Sequence, residues 1–179
     1  MLGAIIGDIA GSRFEWNNYR AKDFAFFTEK CHFTDDSVMT VAVGQAILDC
    51  RGAYETLPGK TVLAMRRIGQ HYPRCGYGGM FRQWILSPQP KPPYHSFGNG
   101  AAMRISPVVH AADSLEEVKQ LSWQVTAVTH DHPEGIKWAE AAAVAGYLAK
   151  AGATIPEIRV HIHENYYPMD FTLDGIRES

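Results

Sequence analysis

Two adjacent carboxylates, Asp35 and Asp36, stand between the hydroxyl side chains of Thr34 and Ser37 at the start of an apolar run. Such a cluster of hard oxygen atoms suits Mg²⁺, Mn²⁺ or Ca²⁺, which prefer oxygen ligands. The alternative is that one of the two acids caps the helix that begins there, which is a common use of aspartate. A cap accounts for only one carboxylate, so this segment alone leaves both interpretations open.

Two further acids precede this pair. Asp8 lies in a predicted helix that otherwise consists of apolar and small residues. A buried carboxylate needs hydrogen bonds, a cation or a proton, so indirect support of a polar site and a plain structural hydrogen bond are both open for Asp8. Glu15 follows just after the same helix, and alone it would be interpreted as a surface acid.

A glycine-containing segment from Ser96 to Arg104 has features of an anion site. Gly98 and Gly100 flank an asparagine directly before a predicted helix of small residues. Free backbone N–H groups at such a start bind anions, most often phosphate. Phe97 could stack on a base or a sugar. An ordinary turn with a helix cap explains the same segment, so that alternative stays open.

Two histidines, His130 and His132, stand two positions apart before another predicted helix. A zinc site would require three or four soft or borderline ligands, and no cysteine cluster accompanies this pair. We therefore favour surface, capping or substrate-contact roles over metal ligation.

The elements that position these residues are predicted to be helices. Nearly the whole chain carries the apolar periodicity of amphipathic helices, and no stretch alternates convincingly with period two. Gly3, Gly7 and Gly11 recur along the first helix, which indicates a helix packed tightly against another segment. The region from Ser87 to Pro93 holds four prolines and is predicted to be a loop. Further helix starts are indicated by Ser114 with Glu117, by Pro133, and by Thr154 with Glu157. The predicted fold class is all-α.

The composition is that of an ordinary globular protein. The chain has 179 residues, 46% of them hydrophobic, and a formal charge of -2, so we expect one domain over residues 1–179. The nearly balanced charge predicts no basic surface of the kind that attracts nucleic acid, and no apolar run is long enough to cross a membrane. We expect a cytoplasmic protein with reduced thiols. The three cysteines are scattered, and the residues from Met1 lack the positively charged start of a secretory signal peptide.

Four segments, in this order along the chain, resemble the ADP-ribosylglycohydrolase family. They are Gly3–Asp8 with Gly11 and Glu15, Phe33–Met39, Gly98–Arg104, and Thr129–Gly135. The resemblance implies a compact all-α bundle whose cleft holds two divalent ions, Mg²⁺ or Mn²⁺. It also implies hydrolysis of the glycosidic bond that joins ADP-ribose to a protein side chain or to a small-molecule adduct.

The resemblance also assigns roles to individual residues. Thr34, Asp35 and Asp36 would be metal ligands, supported indirectly by Asp8. Glu15 would be the general acid or base, with Asp36 the second catalytic residue, because the reaction passes through an oxocarbenium-like state that carboxylates stabilise. The remaining expected contacts to the substrate are Ser96, Phe97, Gly98, Asn99 and Gly100 at the diphosphate and distal ribose, and His130 beside the substrate.

One feature of the family pattern is absent from this sequence. Family members carry a later Asp-x-Asp-Thr cluster that supplies the other half of the metal shell, and no such cluster occurs before Ser179. The acids of the segment Asp170–Asp174 have the wrong spacing to replace it. We therefore expect a domain truncated at its C-terminus, with three explanations open: a truncated or frameshifted member, a fragment that pairs with a separate C-terminal polypeptide, or a member with a rebuilt C-terminal end. Each is expected to expose apolar surface that self-association would cover. The alternative to an active hydrolase is an inactive family member with an ADP-ribose-binding or structural role.

Overall fold

The computed structural model describes residues 1–17 and 19–178 of the chain. Within these ranges the chain forms nine α-helices and three short 3-10 turns, and it forms no β-strand. The prediction of an all-α fold is therefore confirmed. In chain order the helices are α1 (Leu2–Gly11), α2 (Asp35–Cys50), α3 (Leu57–Gly69), α4 (Gly79–Ile85), α5 (Ser106–Ala111), α6 (Leu115–Thr126), α7 (Pro133–Lys150), α8 (Ile155–Asn165) and α9 (Leu173–Glu178).

Helix α2 is the most deeply embedded element near the acidic residues. It packs against α1, α3 and α5, while α6 packs against α7. The buried apolar side chains form one cluster that includes Met39 and Val43 of α2, Met65 of α3, Leu121 of α6 and Val144 of α7. Because several neighbours bury α2, the position of its first turn is fixed by the core.

Helix α1 packs on α2 but leaves much of its own surface open. Leu2 is 76% exposed, and Ile6 is also exposed. A β-carbon placed on Gly3, Gly7 or Gly11 would have no described atom within 4 Å apart from the adjacent residues and the backbone of α1 itself. The prediction of a tightly packed glycine face is therefore wrong for the described residues, because this face borders open space.

The helix caps follow the sequence signals closely. Ser114 accepts a hydrogen bond from the amide of Glu117, and Thr154 with Glu157 forms a complete capping box. His132 caps α7 through Nδ1, which accepts from the amide of Glu134. The capping role favoured for His132 is therefore observed.

The helix of small residues predicted directly after Gly100 does not form there as an α-helix. A 3-10 turn, Ala102–Arg104, comes first, and α5 then begins at Ser106. Pro107 lies in the first turn of α5. A proline lacks the N–H that a helix interior needs but fits a helix start, so the chain begins a new helix there.

The described residues include free thiols and exposed apolar side chains. All three cysteines are free thiols. None of the helices in the described part of the chain is long and apolar enough to cross a membrane. Several large apolar side chains are exposed, among them Trp16 at 89% and Ile155 at 84%.

Candidate active site

The carboxylate of Asp8 holds the start of α2 in place. It accepts hydrogen bonds from the amides of Thr34 (2.8 Å) and Ser37 (3.1 Å) and from the hydroxyl groups of the same two residues. The N-terminus of a helix carries unpaired N–H groups and the positive end of the helix dipole, so a carboxylate is stabilised there. Asp8 thus links α1 to the residues on both sides of Asp35 and Asp36.

Asp35 and Asp36, the acidic pair, lie half-buried in the first turn of α2. Burial raises the pKa of each carboxyl group to about 6. Neighbouring negative charge adds to this rise in pKa, chiefly from Asp36 for Asp35 and from Asp8 for Asp36, with Glu15 acting on both. No ion pair among the described residues includes any of these four acids. The pair is therefore a place of unbalanced negative charge.

The acidic pair forms part of the wall of a cavity of about 330 Å³, the principal cavity. Its wall combines segments that are far apart in the sequence: the acids, a second glycine-rich loop at residues 76–79, and the glycine loop of residues 96–100. The lining residues are Glu15, Asp35, Asp36, Gly76, Gly78, Gly79, Met80, Phe81, Tyr94, Ser96, Gly98, Asn99, Gly100, Met103, Arg104 and His130. The fold thus brings most of the sequence-predicted site residues around one space.

Gly76 joins the second glycine-rich loop to the acidic pair. Its φ of +104° lies in the left-handed region that favours glycine, and a β-carbon there would lie 3.0 Å from Oδ1 of Asp35. The neighbouring Cys75 carbonyl accepts a 2.7 Å hydrogen bond from the amide of Asp35. The sequence offered only closely spaced glycines as a signal for this loop.

Two close approaches position the glycine loop. A β-carbon on Gly100 would lie 3.2 Å from Cε1 and Nε2 of His130, and one on Gly135 would lie 2.6 Å from the carbonyl oxygen of Ser96. Glycine at these positions therefore lets the loop sit directly against the His130 ring and the first turn of α7. The amide N–H groups of Asn99 and Gly100 donate to no described residue, so they are free to bind a ligand.

Arg104 brings a buried positive charge to the wall of the principal cavity. Only 1% of this residue is exposed, and its Nη2 donates to Oγ1 of Thr129 (2.7 Å) and to the carbonyl oxygen of Val125. Its Nε and Nη1 atoms have no partner among the described residues. Burial lowers the pKa of Arg104 to about 10, which leaves it charged at neutral pH. Such a cation favours an anionic ligand.

His130 continues the hydrogen-bond chain from Arg104. Its Nδ1 lies 2.8 Å from the hydroxyl oxygen of Thr129. Either atom can be the donor in this contact, because the Thr129 hydroxyl that accepts from Arg104 keeps its own hydrogen and a second lone pair. Burial, with the Arg104 charge, lowers the pKa of His130 to about 3. The neutral ring can therefore donate one hydrogen bond but supplies no positive charge.

Three sequence-predicted site residues do not line the principal cavity. Phe97 is exposed outside it, with its ring centroid 5.2 Å from that of His132. Asp8 lies behind the first turn of α2. The buried Thr34 hydroxyl donates to Asp8 and accepts from the amide of Asp36 (3.3 Å), and this residue lines a neighbouring cavity instead.

Other lining residues were missed by the sequence interpretation. Tyr94 carried no motif signal, and Arg104 was only the last position of the glycine segment. The ring of Tyr94 lies 5.9 Å from that of His130, and burial raises the pKa of its hydroxyl to about 12. Its neutral hydroxyl therefore adds a polar group to the cavity wall beside His130.

The donor set of the acidic pair fits a hard divalent cation in part. Two carboxylates of raised pKa lie together, and the Thr34 hydroxyl oxygen keeps one lone pair beside its bond from Asp36. In the described part of the chain, however, no three side chains of histidine, cysteine, aspartate or glutamate form a metal-binding group. A cation here would need water or ligand oxygens to complete its coordination shell.

Comparison with known proteins agrees with this geometry. The model of the ADP-ribosylglycohydrolase family matches residues 1–174. The chain is 29% identical over 147 residues to the ADP-ribosylhydrolase ARH3 of Mus musculus, covering 73% of this chain and 38% of that protein. It is 26% identical over 188 residues to ARH3 of Gallus gallus, covering 85% of this chain and 49% of the relative. The chain thus matches less than half the length of these relatives, and it belongs to the ADP-ribosylglycohydrolase family.

Proposed function

We propose that this chain binds ADP-ribose in the principal cavity and contributes to hydrolysis of the glycosidic bond that links ADP-ribose to a protein side chain or small molecule. One observation carries the proposal: the half-buried acidic pair and the buried, incompletely paired Arg104 line the same cavity. ADP-ribose carries an anionic diphosphate and hydroxyl-bearing riboses, so it has groups suited to both.

The diphosphate is assigned to the side of the cavity formed by Arg104 and the glycine loop. The amides of Asn99 and Gly100, which donate to no described residue, are donors for phosphate oxygens, and the buried positive charge of Arg104 in the cavity wall attracts the diphosphate. The neutral His130 ring places its Nε2 beside Gly100 and adds a polar atom to this side of the cavity. Ser96 supports the loop, since its hydroxyl accepts from the amide of Gly98 (3.2 Å).

The reacting ribose is assigned to the side formed by Glu15 and the acidic pair. Departure of the leaving group builds positive charge at the anomeric carbon, which nearby carboxylates stabilise. Asp35, Asp36 and Thr34 are the residues that would hold Mg²⁺ or Mn²⁺. Two such ions are expected from the resemblance to the family. Such an ion orients ribose hydroxyls and acidifies a bound water. Glu15 is then the carboxylate left free to exchange a proton with the leaving group or with water.

The experiment incubates the purified chain with ADP-ribosylated arginine and serine peptides, with Mg²⁺, with Mn²⁺, and with a chelator. We expect metal-dependent release of ADP-ribose that is lost in Asp36→Asn and Glu15→Gln. The matched control is Glu116→Gln, which changes an exposed acid in the first turn of α6. Release that persists in both site variants would contradict the proposed roles.

A second candidate, binding without turnover, is favoured by the absence of a complete metal-binding group among the described residues. In that case ADP-ribose would bind, Arg104→Met would weaken this binding strongly, and no peptide would be cleaved under any metal condition. Calorimetric titration with ADP-ribose beside the release assay separates the two candidates.

The three free thiols also support the proposal that the chain resides in the cytoplasm, which fractionation would test.

A further inference from the structure

A second cavity, of about 540 Å³, adjoins the principal cavity, and we call it the adjacent cavity. Glu15 and Gly76 line both cavities. Thr34 lines the adjacent cavity, whereas the next two residues, Asp35 and Asp36, line the principal one. The first turn of α2 and Glu15 therefore lie between two spaces.

The wall of the adjacent cavity differs in character from that of the principal cavity. Trp16, Phe33 and Tyr72 are exposed aromatic residues, and the rings of Phe33 and Tyr72 meet edge to face with centroids 5.6 Å apart. Arg74 is exposed and pairs with no carboxylate in the described part of the chain. The aromatic surface is thus accompanied by a cation that is available to a ligand.

We propose that the adjacent cavity binds the polypeptide that carries the ADP-ribosyl group. This inference rests on the proposed function. If ADP-ribose occupies the principal cavity and its reacting bond lies at Glu15, the leaving group must emerge where the wall contains Glu15 and Gly76. The adjacent cavity is the space on the other side of that wall, so it receives the modified side chain and the residues that flank it.

The charge of the wall indicates which peptides fit best. Glu15 is the one carboxylate among its lining residues, and it lies at the boundary with the principal cavity. The basic side chains of the lining are Arg74, His32 and His71. We therefore assign to Arg74 the recognition of an acidic residue beside the modified one, while the aromatic rings contact the peptide itself.

Binding measurements test this assignment without relying on turnover. Every protein carries Glu15→Gln, which removes the proposed acid–base group so that the peptide survives the titration. The ligands are ADP-ribose, an ADP-ribosylated peptide with aspartate next to the modified residue, and the same peptide with lysine there, each in the presence of Mn²⁺. Trp16→Ala and Arg74→Glu change the adjacent cavity, and Trp123→Ala is the control because Trp123 is an exposed tryptophan on α6.

The aspartate peptide is expected to bind about tenfold tighter than ADP-ribose, and Trp16→Ala should remove most of that gain. Arg74→Glu should reverse the preference between the aspartate and lysine peptides. ADP-ribose affinity should be the same in all variants, and Trp123→Ala should change nothing.

Equal affinity for ADP-ribose and both peptides would overturn this inference and leave the proposed function standing. A parallel loss of affinity for ADP-ribose and the peptides in Trp16→Ala would also overturn it, since that pattern indicates a merely structural role. Failure of every protein to bind ADP-ribose would overturn the proposed function, and this inference with it.

Discussion

Replacing Asp36 by asparagine is expected to stabilise the protein at about pH 8 when a chelator removes divalent cations. The native state holds the Asp35 and Asp36 protons up to about pH 6, whereas the unfolded chain releases them near the ordinary value of 3.8. The native state therefore binds more protons between these pH values, and the free energy of unfolding falls as pH rises through this interval. Above about pH 6 both carboxyl groups are ionised in the native state, and the decrease in the free energy of unfolding is then complete.

The size of the effect follows from the pKa difference. A rise of about two units corresponds to at most ~3 kcal/mol for one carboxyl group. Asp36 is only partly buried, so solvent screening reduces this to about 1 kcal/mol. Asp36→Asn also removes a negative charge from the first turn of α2, where the helix dipole favours one. This lowers the expected gain in the free energy of unfolding by a few tenths of a kcal/mol. We expect a net gain of about 0.5–1 kcal/mol for Asp36→Asn at about pH 8.

Urea unfolding followed by circular dichroism measures this gain at about pH 8 and again at about pH 4.5, where most of it should disappear. Asp23→Asn, which changes an exposed loop acid, is the matched control. Addition of Mn²⁺ should stabilise the wild-type chain and not Asp36→Asn, because only a site that binds the ion gains free energy from it. Destabilisation by Asp36→Asn in chelator, or a gain independent of pH, would refute the reasoning.

Three other substitutions test the supports of the site. Asp8→Ala removes the acceptor of four hydrogen bonds from the start of α2, so urea unfolding should show a loss of about 3 kcal/mol. Gly76→Ala should cost about 1–2 kcal/mol in the same assay because its φ is positive, whereas Gly59→Ala, with open space around it, should not destabilise. Arg104→Met should change stability by less than about 1 kcal/mol yet weaken ADP-ribose binding about 100-fold by calorimetry, because it removes an incompletely paired buried cation. Equal losses of stability and binding would contradict the last expectation.

The helices and caps could be predicted because their signals are local. The apolar periodicity after Asp36 predicted α2, and Thr154 with Glu157 predicted the cap of α8. Both depend on residues within a few positions of each other, where spacing fixes geometry. The same reasoning failed after Gly100, where Pro107 begins a separate helix, and at α1, where the glycine spacing did not say whether any segment covers it.

The composition of the cavity wall could not be read from local spacing. Gly76 belongs to the site because the Cys75 carbonyl pairs with the amide of Asp35, forty positions away in the chain. Arg104 belongs to it because Thr129 and Val125 hold one edge of its guanidinium while the other edge stays free. Such long-range pairs arise from packing, and no periodicity of the sequence encodes which loop returns to which helix.

The proposed ligand accounts for the unpaired charges of the principal cavity. Arg104 and the acidic pair line the same space, yet no ion pair among the described residues joins them. A fold selected only for stability would pair these charges or replace them with apolar side chains, since isolated buried charges are costly. Under the proposed function both costs would fall, since the diphosphate of ADP-ribose would lie near Arg104 while its ribose hydroxyls and a divalent cation would lie at the acids. The raised pKa of the acids and the unpaired nitrogens of Arg104 are therefore two consequences of the same requirement.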